Sequence, residues 1–238
     1  MPLSRLILTF ASALWIGGLA MSTSFAANLS TPEDAVTAYI EGVVQQDFDA
    51  ILAATAAENM SAKFDFVASV DRLKTLTPLT PAPATSPLFV KINTSGFEAR
   101  IASQVKFLIY GLMTTNPVVE GNSAQMEKAA ADGFATTVST DRLAGVKLLK
   151  VAIPNPALQN SEKYQLNAKN AAKVYGADAS AERVALISFE GLHFAVGFHL
   201  FRYGNAWGVS DQMSSLAGLG GLGTPKRVTP ETFADLAK

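Results

Sequence analysis

The stretch Leu192-His-Phe-Ala-Val-Gly-Phe-His-Leu-Phe-Arg-Tyr203-Gly-Asn-Ala206-Trp-Gly-Val-Ser-Asp211-Gln212 decides the fold. Successive side chains of a strand point to opposite faces. Leu192, Phe194, Val196, Phe198 and Leu200 therefore share one face, and His193, Ala195, Gly197, His199 and Phe201 share the other. The first set is apolar throughout and has to be covered by helices. Both histidines of the chain then lie on the opposite face. Gly204-Asn205 is a two-residue turn of the kind that closes a hairpin, so the segment 206–212 returns along 192–203. With that turn, Tyr203 pairs with Ala206, Arg202 with Trp207, Leu200 with Val209 and Phe198 with Asp211. Trp207, Val209 and Asp211 then join the apolar inner face. A one-residue bulge would reverse the assignment beyond it.

Two further strands are expected upstream, at 184–189 and at 146–153. The second is stopped by Pro154-Asn-Pro156. Between them runs a helical excursion, 155–182. Its helix, 161–175, carries a Tyr164, Ala168, Ala171, Tyr175 stripe and ends at Gly176. After the hairpin, 214–238 reads as a Gly-rich linker and a short helix opened by Thr229-Pro-Glu231.

The first half is helical. Thr31-Pro-Glu-Asp34 offers a capping hydroxyl, a proline for the first helical position and acids for the positive helix end. Val36, Tyr39, Ile40, Val43 and Val44 form its apolar stripe. Asp47 is placed to cap a second helix with Phe48, Ile51 and Leu52. Residues 59–75 read as more helix, with Phe64, Phe66, Val67, Val70 and Leu73 on the buried side. Pro78, Pro81, Pro83 and Pro87 then make 76–90 an extended loop. The strongest helix follows from a capping-box spacing at Ser95-Gly-Phe-Glu98, with Phe97, Ile101, Val105, Leu108 and Leu112 in line. A weaker helix at 123–135 aligns Met126, Ala130 and Phe134. The fold class is thus α+β: N-terminal helices on a curved antiparallel sheet, a single domain over 27–213.

The N-terminus reads as a cleavable export signal, 1–26. One basic residue, Arg5, precedes an uncharged apolar run from Leu6 to Met21. Ser24 and Ala26 then give the small-residue spacing for a cut after Ala26. The run of about 16 residues is shorter than the roughly 20 that span a bilayer. No Cys exists to carry a lipoprotein anchor or a disulfide, so the mature core has to hold the fold alone. The Ala-rich composition suits a bacterial chain and the periplasm, or secretion. Cleavage leaves 212 residues with 18 basic and 20 acidic side chains, a formal −2. That near-neutral balance excludes an electrostatic nucleic-acid footprint. No other stretch is long and apolar enough to span a membrane.

Chemistry-bearing patterns are sparse. Two histidines six apart with no Cys make a poor zinc set, so neither metal nor cofactor is expected. Ser188 falls opposite His193 across a turn at Glu190-Gly191, with nothing to form an oxyanion hole. Gly218-Leu-Gly220-Gly-Leu-Gly223 has the spacing of a phosphate loop, but Thr224-Pro225 follows where a long helix is needed. Asp211 is the one carboxylate on the apolar face. An apolar surround suits a carboxylate to acid–base work, with Tyr39 or Tyr110 as the proton donor of a metal-independent lyase or isomerase. Tyr39, Phe107, Tyr110, Phe194, Phe198, Arg202 and Trp207 are the side chains expected to line a cavity.

The segment from Pro32 to Leu52, with its Gln45-Gln-Asp47-Phe-Asp corner, is similar to the first two helices of the nuclear-transport-factor-2-like (cystatin-like cone) superfamily. Arg202-Tyr-Gly-Asn-Ala-Trp207-Gly-Val-Ser-Asp211 is similar to its final hairpin. The resemblance implies a curved sheet wrapped on a helix around an apolar cavity. It also implies functions ranging from dehydratases, isomerases and cyclases to carriers and assembly modules. Fold alone does not choose among them. Enzyme members place Asp, His or Tyr in the cavity. Here strand parity turns both histidines away and leaves Asp211 alone, which favours binding over catalysis. The expected partners are an apolar small molecule, a lipid or an envelope protein, with homodimerisation through the outer sheet face.

Overall fold

The computed structural model describes residues 29–115 and 126–238. The expected signal, 1–26 with its cut after Ala26, lies outside the described residues, as does the start of the 123–135 helix.

Helix α1 (Pro32–Gln45) opens on a reciprocal cap. The Thr31 hydroxyl accepts from the Asp34 amide at 3.1 Å, and the Asp34 carboxylate accepts from the Thr31 amide at 3.0 Å. Left-handed Gln46 ends it. Asp47 caps α2 (Phe48–Ala53) by accepting from the Ala50 amide at 3.0 Å. The expected helix over 59–75 is two pieces, α3 (Ala57–Ala62) and α4 (Phe66–Leu73). Asp65 caps the second, its carboxylate accepting from the Ala68 amide at 2.8 Å, an alternative to continuing the helix through this point. Val67 and Leu73, expected inside, are exposed.

Helix α5 (Pro87–Met113) is longer than expected and starts inside the expected 76–90 loop. Ser86 is its N-cap and Pro87 its first residue, a position where proline costs nothing. The helix then runs through Ser95-Gly96, so the capping-box spacing there is unused. Asn93 ties the Pro-rich segment back onto α5, donating to the Ala82 carbonyl and accepting from the Ala82 amide.

Helix α6 (Lys128–Thr137) and a 3-10 turn (Thr140–Gly145) lead into β1 (Lys147–Ala152). Helices α7 (Pro156–Gln159) and α8 (Glu162–Val174) form the excursion. It is shorter than 155–182, because β2 (Ala179–Phe189) begins at residue 179. The turn Glu190-Gly191 has positive φ at both residues, 48° and 78°, as a type I′ hairpin requires. Strand β3 (Leu192–Tyr203) pairs with β2 along its whole length and with β4 (Ala206–Asp211) over its second half. A short β5 (Lys226–Val228) pairs with the first half of β3, and α9 (Pro230–Leu236) closes the chain. The sheet is antiparallel in the order β1-β2-β3-β4, with β5 beside β3.

The expected hairpin register holds from Tyr203↔Ala206 to Leu200↔Val209 and then shifts by one residue. His199, not Phe198, pairs with Asp211. Ser210 is the extra residue, held by its hydroxyl on the His199 carbonyl at 3.1 Å. Asp211 therefore leaves the inner face. The β4 edge is not open: residues 54–56 bond to Val209 on both its amide and its carbonyl, and the Trp207 amide donates to the Leu29 carbonyl.

The inner face meets α1 and the C-terminal half of α5. Tyr39, Ile40, Leu108, Ile187, Phe189, Val196, Phe198 and Leu200 fill that space. The ring of Tyr39 meets Phe198 edge-on at 5.4 Å, a geometry worth about 1 kcal/mol beyond burial. The outer face, expected free for a second copy, is covered along its middle. Ala217 and Leu219 of the Gly-rich segment and Phe233 of α9 pack on Val184, Leu186 and Ala195. Gly197 permits this, since a Cβ there would lie 2.5 Å from the Ser214 amide nitrogen. The segment expected as a linker is thus packed on the sheet.

Candidate functional site

Asp211 sits where β4 meets α5. Arg100 Nη1 donates to its Oδ2 at 2.9 Å, and Gln104 Nε2 donates to its Oδ1. Gln104 also donates to the Gly221 carbonyl at 2.9 Å and accepts from the Gln212 amide at 3.0 Å. Gln212 in turn accepts from the Tyr39 hydroxyl at 3.0 Å and donates to the Gly223 carbonyl at 2.6 Å. Gly223 has φ +82°, and a Cβ there would fall 2.6 Å from the Gln104 carbonyl oxygen. The network locks the Gly-rich segment to α5. Each Asp211 oxygen already accepts a hydrogen bond. Burial, reinforced by the charge of Asp211, pushes the Tyr39 hydroxyl far above its ordinary pKa. Asp211 and Tyr39 are joined through Gln104 and Gln212, and the polar groups of this chain are committed to holding structure together.

A second polar cluster lies on the outer face. Glu182 accepts from the Tyr164 hydroxyl at 3.0 Å, the Ser214 hydroxyl at 2.6 Å and the Leu216 amide at 2.9 Å. His199 lies between Ser210, 2.6 Å from Nδ1, and Ser180, 2.9 Å from Nε2. Ser210 spends its one proton on the His199 carbonyl. We therefore assign the ring proton to Nδ1, and Nε2 accepts from Ser180. Burial of the ring pushes its pKa down, against the opposing pull of Glu182 and Asp211. Ser188 does pair with His193.

The side chains expected to line one cavity are dispersed. Tyr39 and Phe198 are solid core. Phe107 stacks toward Tyr110, which meets Phe134 of α6 edge-on at 5.0 Å. Tyr110 borders a shallow apolar groove of about 350 Å³ that also includes Phe48 and Val105. Trp207, with Arg202 stacked over it at 5.8 Å, borders a cleft of about 550 Å³ whose charged side chains, Asp49, Glu58 and Glu98, are all acidic.

Phe194 lines a further cleft, about 590 Å³, at the C-terminal end of α5. Leu112, Met113, Phe134, Leu192 and Phe194 give it an apolar floor, and Pro225 closes one side. Thr115, Thr137, Arg142, Glu190 and Arg227 add a polar rim. Arg142 is neutralised in a fork with Glu190, Nε to Oε1 at 2.9 Å and Nη2 to Oε2 at 2.7 Å. That pairing holds the Glu190 carboxyl below its ordinary pKa and raises that of the guanidinium. Arg227 forms no ion pair among the described residues. Of these side chains the sequence singles out Phe194 as a cavity-lining candidate and does not single out Arg142 or Arg227. A three-residue strand leaves no periodicity to place Arg227 beside Phe194.

No protein-family model matches the chain, and no curated protein matches it. Among solved structures it is similar to a cystatin-like protein from Ruminococcus gnavus, at 18% identity and a TM-score of 0.52. The match covers 85% of this chain and 41% of that one. The likeness concerns fold: helices with an antiparallel sheet, an α+β arrangement consistent with the cystatin-like architecture. Among the described residues, no helix is long and apolar enough to cross a membrane.

Proposed function

We propose that the chain is an exported, periplasmic binding protein that takes an apolar small molecule or lipid into the end cleft without catalysis. One observation carries this reading. At the cleft, apolar core side chains, Leu112, Met113 and Phe194, border a concave space of ligand size with a polar rim beside it. The commitment of Asp211, Gln104, Gln212 and Tyr39 to one another favours binding over acid–base chemistry. Native mass spectrometry of protein taken from the periplasm tests the proposal. The expected mass is a chain beginning at Ala27 plus a small-molecule adduct. Ala130→Trp, which fills the cleft from an exposed position on α6, removes the adduct. A bare chain that also ignores added alkyl ligands would overturn the reading.

A second reading, an envelope protein-interaction module, is favoured by a separate feature. Val67, Leu73, Leu76, Leu79, Leu88, Phe89 and Ile92 are all exposed within one stretch of α4, the Pro-rich loop and the start of α5. Apolar exposure at this density marks contact surfaces. Light scattering on the pure protein, with cross-linking in periplasmic extract, distinguishes self-association from a partner. A monomer with no cross-linked product would remove this reading.

A further inference from the structure

Resting on the binding reading above, we infer that the end cleft selects a singly anionic amphiphile, an apolar chain carrying one carboxylate, and that Arg227 receives the charge. Among the described residues, three charged side chains line the cleft: Arg142, Glu190 and Arg227. Arg142 and Glu190 cancel each other through two hydrogen bonds, and Arg142 Nη1 donates to the Thr137 carbonyl at 2.6 Å. What remains is one positive charge. Arg227 pairs directly with Phe194 across the β3–β5 ladder. Cross-strand partners project to the same face of a sheet, so the guanidinium rises beside the aromatic floor. A guanidinium presents a planar fork of donors that matches a carboxylate. A ligand with its chain on Leu112, Phe134 and Phe194 and its head on Arg227 satisfies both halves of the cleft at once. A neutral ligand of the same shape would leave that charge to solvent.

Decanoate and decanamide differ in head-group charge and share a chain, so calorimetric titration with both reads the inference directly. Wild-type protein is expected to bind decanoate about fivefold more tightly, the modest gain of a charge-assisted contact at a partly exposed site. Arg227→Gln brings the two ligands level, and Arg227→Lys keeps part of the difference. Glu190→Gln frees Arg142 as a second cation, so decanoate tightens further while decanamide does not. Equal binding of both ligands by the wild type overturns the anion selectivity and leaves the binding reading standing. Binding of neither overturns both. Selectivity that survives Arg227→Gln overturns the role of Arg227. Arg227 is exposed, and a melting curve verifies that its variants remain folded.

Discussion

The junction of β4 with α5 and the end cleft both set polar side chains against apolar surface, and they differ in how those groups are used. At the junction, Asp211, Gln104, Gln212 and Tyr39 bond to one another and to the Gly221 and Gly223 carbonyls. At the cleft, Arg142 and Glu190 are matched and Arg227 has no charged partner among the described residues. The contrast separates groups that specify the fold from a group available to a ligand. A buried polar atom left unpaired costs more than a paired one gains, so networks that fix structure tend to be complete. A binding site keeps donors whose partner arrives with the ligand.

The contrast breaks most sharply at Gln104. Gln104→Ala strands the Gln212 amide and the Gly221 carbonyl and removes one contact of Asp211. Denaturant unfolding should report a loss of about 3 kcal/mol, with decanoate affinity unchanged in the folded protein. Asp211→Asn should cost about 1 kcal/mol, because Arg100 is half exposed and its pair is screened. A stability loss near zero at Gln104 would mean the junction is not holding the Gly-rich segment.

His199 supplies a pH dependence with a definite sign. Its folded pKa lies below its ordinary value of about 6.5. As pH falls below that value, the unfolded chain takes up a proton that the folded chain resists. Stability therefore falls across the window between the ordinary and the depressed pKa, and is intact above it. Thermal melts of His199→Gln should be flatter than wild type over that window. The smallest stability effect is expected at Arg227, where Arg227→Gln should stay within about 0.5 kcal/mol of wild type.

Much of the fold was legible because it rests on periodicity and caps. The β3 limits, the Thr31 and Asp47 caps and the hairpin turn follow from residue type and spacing alone. The Ser210 bulge was not legible, since Ser210-Asp211-Gln212 is polar throughout and carries no apolar alternation to mark the flip, yet it moved Asp211 off the inner face. The start of α5 was misplaced because Pro87 suits both a loop and a first helical turn. The packing of Leu219 and Phe233 on the outer face depends on long-range contacts that local pattern does not encode. The candidate site was half legible: Phe194 through strand parity, and Arg142, Glu190 and Arg227 only through the tertiary fold.

Titration of ¹⁵N-labelled protein with decanoate, followed by amide shift changes, locates the bound ligand residue by residue. Changes are expected to concentrate at Leu112–Thr115, Glu190–Phe194 and Thr224–Arg227, with the amides of Tyr39, Gln104 and Asp211 still. Changes centred on Tyr39, Gln104 and Asp211, with the end cleft silent, would contradict this placement.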